Sequence, residues 1–239
     1  KPAYEIPLRL VGSEMCIRDS SKMTFNRVAN SYQWMEKIVF LNDLEKARNF
    51  HVSLVRDAES ILLLGDGDGR FLEKISEIGT DAQILSVDSS SEMIRLSQSK
   101  IHNTGLDVRY VCQDLKDFEF TENFKPDLIF AHFFLDCFTE NEVILIVNRL
   151  SKWCPKSTKL VISDFFLPGK GSFSGIYRNI LTYIMIRFFR LFCRISAKKL
   201  PNIPKIMRST GWTCTAHKSL KDGFINSWVW EIEGCSKRP

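Results

Sequence analysis

At 239 residues the chain suits one large domain or two small ones, and a fold of that length buries roughly 70–75% of the surface its unfolded chain exposes. Apolar residues make up 44% and charged residues 26%, ordinary globular values that exclude disorder for the bulk of the chain. The formal charge of +5 is far from that of a nucleic-acid-binding tail. Seven cysteines scattered without C-x-x-C or C-x-x-H spacing argue against a metal site or a disulfide framework, and for a reducing, cytoplasmic setting.

Residues 1–22 read as a non-native or disordered arm. The chain begins with Lys1, and VGSEMCIRDS (Val11 to Ser20) resembles a string that recurs in translated sequencing-adapter reads, so the domain is expected to span 23–239. No charged segment followed by an apolar one marks a secretory signal there. From Met23 to Val55 the pattern is helical: Phe25, Val28, Ala29, Tyr32, Met35, Ile38 and Val39 recur at three- and four-residue steps.

The run Ile61 to Gly65 is short, apolar and ends in glycine, as a central parallel strand buried on both faces should be. A helix is expected from Arg70 to about Ile78, and a strand over Gln83 to Val87. A helix over Glu92 to Lys100 follows, capped from Ser89–Ser91. Strands are expected at Asp107 to Val111, Asp127 to Ala131 and Lys159 to Ser163, with a helix over Asn141 to Leu150 between the last two. Strand and helix alternate about five times within roughly 105 residues, which indicates a doubly wound, mostly parallel α/β sheet.

After Pro168 that rhythm breaks. A link from Gly169 to Gly175 leads into an aromatic and basic helix, about Ile176 to Ile195, and Pro201 and Pro204 bracket a turn before a short helix to Arg208. The segment 169–208 therefore reads as a helical cover inserted before a final β section, which opens at Gly211–Trp212 and closes with a hairpin strand within Gly223 to Ile232. Arg178, Arg187, Arg190 and Arg194 interrupt the long helix, which excludes a membrane span of about 20 apolar residues. The same arginine stripe leaves two uses open: a lid over an acceptor pocket, or peripheral contact with an anionic membrane through 176–195.

The strongest chemical signal is LLLGDGDGRF. Gly65, Gly67 and Gly69 alternate between a buried strand and a helix, where the chain must turn sharply and let a ligand lie on bare backbone. Nineteen residues after Gly69 comes Asp88, at a strand end where a carboxylate can accept both hydroxyls of a ribose. Asp114 follows the next strand and could take the exocyclic amine of an adenine.

This spacing resembles that of the class I S-adenosylmethionine-dependent methyltransferases. The segment VDSSSEMIRLSQSK is similar to a stretch of that family in which Met93 packs near the adenine, and PDLIFAHFFLDCF and KLVISDF are like its fourth- and fifth-strand motifs. The F-x-x-x-A-x-x-Y pattern of Phe25, Ala29 and Tyr32 is like that of the quinone-biosynthesis branch. The resemblance implies a Rossmann-like fold, S-adenosylmethionine as cofactor and a small-molecule acceptor. Asp88 is then expected on the ribose, Asp114 near the adenine, and the glycine loop around the methionine part. The family's usual acid two positions before the first glycine is Leu63 here, so Asp66, or else Asp68, is expected to hold the methionine ammonium. A nicotinamide fingerprint fits less well, because Arg70 and Phe71 stand where its spacing would move the third glycine.

Methyl transfer from a sulfonium is an in-line displacement that needs positioning, and a base when the acceptor carries a proton. His132 and Asp136 lie just past the fourth strand and are candidates for that base, with Tyr32 and His217 as further candidates. The plainer reading is that His132 bonds backbone, Asp136 caps a helix and Asp164 orders the end of the fifth strand. Two other functions compete: a cofactor-binding relative without catalysis, and a nucleic-acid methyltransferase. Against the second, no N-P-P-Y-like or D-P-P-Y-like tetrapeptide follows the fourth strand.

Overall fold

The computed structural model describes residues 42–119, 123–166 and 199–232. The arm 1–22, Tyr32 and the long helix expected over 176–195 lie outside them. Helix α1 (Asp43–Asn49) and a 3-10 turn (Val52–Asp57) lead into strand β1 (Ser60–Leu64). Helix α2 (Arg70–Ile78), β2 (Gln83–Asp88), α3 (Ser91–Ile101) and β3 (Val108–Cys112) follow. Then come β4 (Leu128–His132), a 3-10 turn (Leu135–Cys137), α4 (Glu140–Trp153) and β5 (Lys159–Phe165). A short helix, α5 (Ile203–Ser209), precedes the hairpin of β6 (Trp212–Leu220) and β7 (Ile225–Ile232).

The seven strands form one sheet in the order β3-β2-β1-β4-β5-β7-β6. The first five run parallel, and β7 pairs antiparallel with both β5 and β6. The doubly wound sheet with a terminal hairpin is thus present. Chain order reverses between β1 and β4, and the carboxyl ends of strands flanking such a switch point form a crevice open to ligands.

Period-two alternation divides the apolar strands between two cores. Leu62, Leu64, Ile129, Ala131, Leu160 and Ile162 face α4 and α5 on one side. Ile61, Leu63, Leu128, Phe130 and Val161 face Phe71, Leu72 and Ile75 of α2 on the other. Each such side chain taken out of water contributes roughly 1.5–3 kcal/mol, which fixes the strand register and with it the position of every strand end.

The helical expectation for 23–55 is corrected within the described residues. Only Asp43–Asn49 is α-helical there, and Val52–Asp57 tightens into the 3-10 turn. Val55 is fully buried in that turn and its carbonyl accepts from Thr80 Oγ1 at 3.1 Å. The tighter winding brings the chain down to β1, where a continued α-helix would carry it onward. The cap of α4 is Thr139, which forms a reciprocal box with Glu142, so Asp136 is not the cap of that helix.

Candidate active site

The loop after β1 makes its turn with glycines for two different reasons. A Cβ on Gly65 would lie 2.1 Å from the Phe134 ring, and one on Gly69 would lie 2.7 Å from the Ser97 Cα. Those glycines let other parts of the protein approach. Gly67, at φ +68°, would meet nothing within 4 Å, so its bare backbone faces open space. A ligand can therefore lie against Gly67 without displacing protein.

Asp88 ties this loop to the end of β2. Its Oδ2 accepts from the Gly67 N–H at 3.2 Å and its Oδ1 from the Ser90 N–H at 2.8 Å. Burial pushes its carboxyl up, and the backbone donors of Ser90 and Gly67 act against that rise. Ser90 also caps α3, its Oγ accepting from the N–H of the buried Met93 at 3.3 Å. Asp114 lies on the turn after β3, where one oxygen accepts from the Lys116 N–H at 2.9 Å and the other lies 3.5 Å from Lys116 Nζ.

The two acids inside the loop differ sharply. Asp68 is bound by Arg70 Nε and Lys100 Nζ, each at 3.0 Å. Burial alone would raise its carboxyl, but the two cations hold it below the usual range. Asp66 is half-buried and its Oδ2, shut off from solvent, has no hydrogen-bond partner. Burial first, then the charges of Asp68 and Asp88, push it up to about 7, with Arg48 and Lys100 opposing. Of the two expected acids, Asp66 is the one left to meet a cationic ligand group.

Across the switch point, β4 ends in His132, only 9% exposed, with neither ring nitrogen hydrogen-bonded. The ring packs edge-on to Phe71 at 4.6 Å between centroids and lies 5.3 Å from Phe130. Burial, then the charges of Arg48 and His51, hold its pKa well below the ordinary range, so the imidazole is neutral. The next residue, Phe133, is left-handed (φ 51°) and donates its N–H to the Ser163 carbonyl at 2.7 Å. A non-glycine residue in that conformation is strained by about 1–2 kcal/mol, which the surrounding packing must offset.

Beyond it Asp136 and Asp164 meet, a pairing the sequence did not reveal. Asp164, fully buried at the end of β5, accepts from the Asp136 N–H at 3.1 Å through Oδ2 and from the Phe165 N–H at 2.8 Å through Oδ1. Burial pushes Asp136 up to about 6, and burial together with the charge of Asp136 holds Asp164 well above the usual carboxylate range. Neither His51 nor Arg48 was singled out from the sequence. His51 is 8% exposed and its Nε2 has no hydrogen-bond partner. Arg48, on the last turn of α1, holds its guanidinium carbon 5.1 Å over the Phe133 ring. The sequence offered no motif for either, since α1 reaches the site only through tertiary packing. His217 is placed on the hairpin, bonded to Asn226 Oδ1 at 2.9 Å and stacked on Trp228 at 5.6 Å. Among the described residues no cluster of three or more His, Cys, Asp or Glu side chains suits a metal ion.

Residues 61–156 match the family model of a methyltransferase domain. A ubiquinone/menaquinone biosynthesis C-methyltransferase from Pseudoalteromonas translucida is 29% identical over 158 residues, which cover 64% of this chain and 62% of that protein. A demethylmenaquinone methyltransferase from Thermus thermophilus is 25% identical over 156 residues, 64% of this chain and 70% of that one. The chain thus spans about three fifths of the length of the first of these relatives, 62%. Among solved structures, an O-methyltransferase of neocarzinostatin biosynthesis, in complex with S-adenosylmethionine and 2-hydroxy-5-methyl naphthoic acid, superposes with a TM-score of 0.60 at 9% identity, covering 87% of this chain and 57% of that one. Matched domain, strand order and glycine loop agree: residues 61–156 are a methyltransferase domain of Rossmann-like fold, and S-adenosylmethionine is the cofactor they indicate.

Proposed function

We propose that the protein transfers the methyl group of S-adenosylmethionine to a small, apolar or aromatic acceptor. The observation that carries this reading is the open backbone at Gly67, set between Asp88 at one end and the unpartnered Oδ2 of Asp66 at the other. The residues present fit the cofactor. Asp88 stands at a strand end suited to ribose hydroxyls, Asp66 is a buried carboxyl suited to a cation, and Met93 and Asp114, which follow β2 and β3, are the residues assigned to the adenine in this reading. When bound, S-adenosylmethionine supplies a methyl group on a sulfonium sulfur. The chain's part is to hold that arm in line, exclude water and receive a proton from the acceptor.

His132 and Asp136, just past β4, are the groups proposed to receive that proton, and Tyr32, also a candidate, lies outside the described residues. Phe133 and Phe134, partly buried just past β4, pair at 5.1 Å with the buried Phe165 and Phe138, an apolar aromatic setting that favours a planar acceptor. The two quinone-biosynthesis relatives point to the same acceptor class. Incubating the protein with methyl-labelled cofactor and a small-molecule extract, then reading new labelled masses, tests the reading. Label should enter an apolar aromatic compound and fall by about tenfold or more with Asp88→Ala at limiting cofactor. Label confined to RNA, DNA or protein would overturn the acceptor class.

A further inference from the structure

Helix α4 grips the turn that follows β3, 31 to 34 residues away in the chain. Arg149, in the third turn of α4, donates from Nη1 to the Leu115 carbonyl at 3.2 Å and to the Lys116 carbonyl at 2.8 Å. From Nη2 it donates to the Phe118 carbonyl. The grip matters because β3 is an edge strand, with β2 on one side only. Leu115 and Phe118 plug the turn into the core beside Val143, Val147 and Leu150 of α4. Apolar burial sets the depth of a turn but has no direction. A planar guanidinium bonded to three carbonyls also fixes orientation, since its donors leave in set directions.

Asp114 is part of what is held. Its carboxyl accepts from the Lys116 N–H at 2.9 Å, and its own carbonyl accepts from the Asp117 N–H at 3.0 Å. The acid and the gripped carbonyls therefore move as one loop. Lys116 Nζ adds a second tie to α4, lying 3.5 Å from Asp114 Oδ2 and 3.6 Å from Glu142 Oε1. Resting on the reading that Asp114 meets the adenine amine, we infer that Arg149 is a positioning residue for base recognition. It aims the Asp114 carboxyl by holding three carbonyls of its turn, and acts on the base through that acid alone. A site built to bond an N–H rejects an analogue that lacks it, provided that the acceptor stays where the N–H arrives. A turn held only by its apolar plugs keeps its place and loses its aim.

Two probes in calorimetry on the full chain test this: S-adenosylhomocysteine, and its inosine counterpart, in which a carbonyl replaces the exocyclic amine. The wild type should bind the adenine form about tenfold more tightly or better. In Arg149→Met that preference should fall to about twofold or less, with the loss falling mainly on the adenine form. Arg149→Lys keeps the charge without the fork and should lie between the two. A merely structural arginine would lower the melting temperature and leave the ratio of affinities alone. Arg149→Met with the wild-type preference, whatever its melting temperature, would thus overturn the inference and leave the cofactor reading intact. Should that variant fail to fold, Arg149→Lys decides, and the wild-type preference there would overturn the inference equally. Wild-type protein that binds both probes alike would remove Asp114 from the adenine, and the inference with it. Wild-type protein that binds neither would instead overturn the cofactor reading.

Discussion

The loop after β1 and the turn after β4 lie side by side at the switch point, yet they hold their polar atoms in opposite ways. Around the loop nearly everything is already engaged: Asp88 by two backbone N–H groups, Asp68 by two cations, Asp114 by its own turn. Past β4, His132 has no hydrogen bond, nearby His51 lacks one at Nε2, and Asp136 and Asp164 share a buried acidic corner. Asp66 is the exception on the loop side, its buried Oδ2 without a hydrogen-bond partner. The engaged groups set a shape that exists before any ligand arrives. The unpartnered ones carry a desolvation cost of about 1–3 kcal/mol each, which a ligand bonding them would offset.

The comparison breaks most visibly at the glycines. Gly69→Val should destabilise the fold by about 3 kcal/mol or more, since its side chain drives into the Ser97 backbone at a left-handed position. Gly67→Val, at an equally left-handed position but in open space, should cost about 1–2 kcal/mol and abolish cofactor binding. Denaturant unfolding and calorimetry on both variants read the contrast. Similar stabilities for the two would mean that the loop's glycines all serve the same end.

Next in size, Asp88→Ala should weaken cofactor binding by roughly 1.5–3 kcal/mol, the value of hydrogen bonds to a charged acceptor. The variant should fold, because Asp88 lies at the end of its strand. An unchanged dissociation constant would remove Asp88 from the ribose position.

A smaller effect follows from pH. Asp66, held up at about 7, stabilises the ligand-free fold while protonated, and that contribution fades as pH rises from its unfolded value near 4 toward 7. An ammonium binds the ionised form, so cofactor affinity should climb between about pH 6 and 7.5 and fall again once the ligand's own α-ammonium loses its proton, above about pH 8. Asp66→Asn should flatten the rise. A wild-type affinity that falls where the rise is expected would contradict the assignment. Smallest of all, removing residues 1–22 should leave melting temperature and cofactor affinity unchanged, and a clear drop in either would show that the arm docks.

Much of the fold was legible because periodicity and burial coincide. Strand β1 is apolar on both faces and reads as a central strand, and Gly69 before Arg70 marks the helix start. The glycine loop and the strand-end acids of the candidate site were legible for a related reason: they lie within 50 residues at the ends of successive strands. The rest depends on distance in the chain. Asp136 and Asp164 are 28 residues apart, and only the pairing of β4 with β5 brings them together. Arg48 and His51 carry no motif, since their place is fixed by the packing of α1 and by Ser163 Oγ donating to the Ala47 carbonyl at 3.1 Å. The choice between Asp66 and Asp68 needed side-chain directions, because both alternate with glycine in the same loop.

Direct titration of the purified chain with S-adenosylhomocysteine, run beside NAD under the same conditions, tests the central claim most simply. Micromolar binding of the former is expected, with the fold stabilised by about 2.7 kcal/mol at one hundred times the dissociation constant, and no binding of NAD. Binding of NAD without any interaction with S-adenosylhomocysteine, in calorimetry and thermal unfolding alike, would contradict the account.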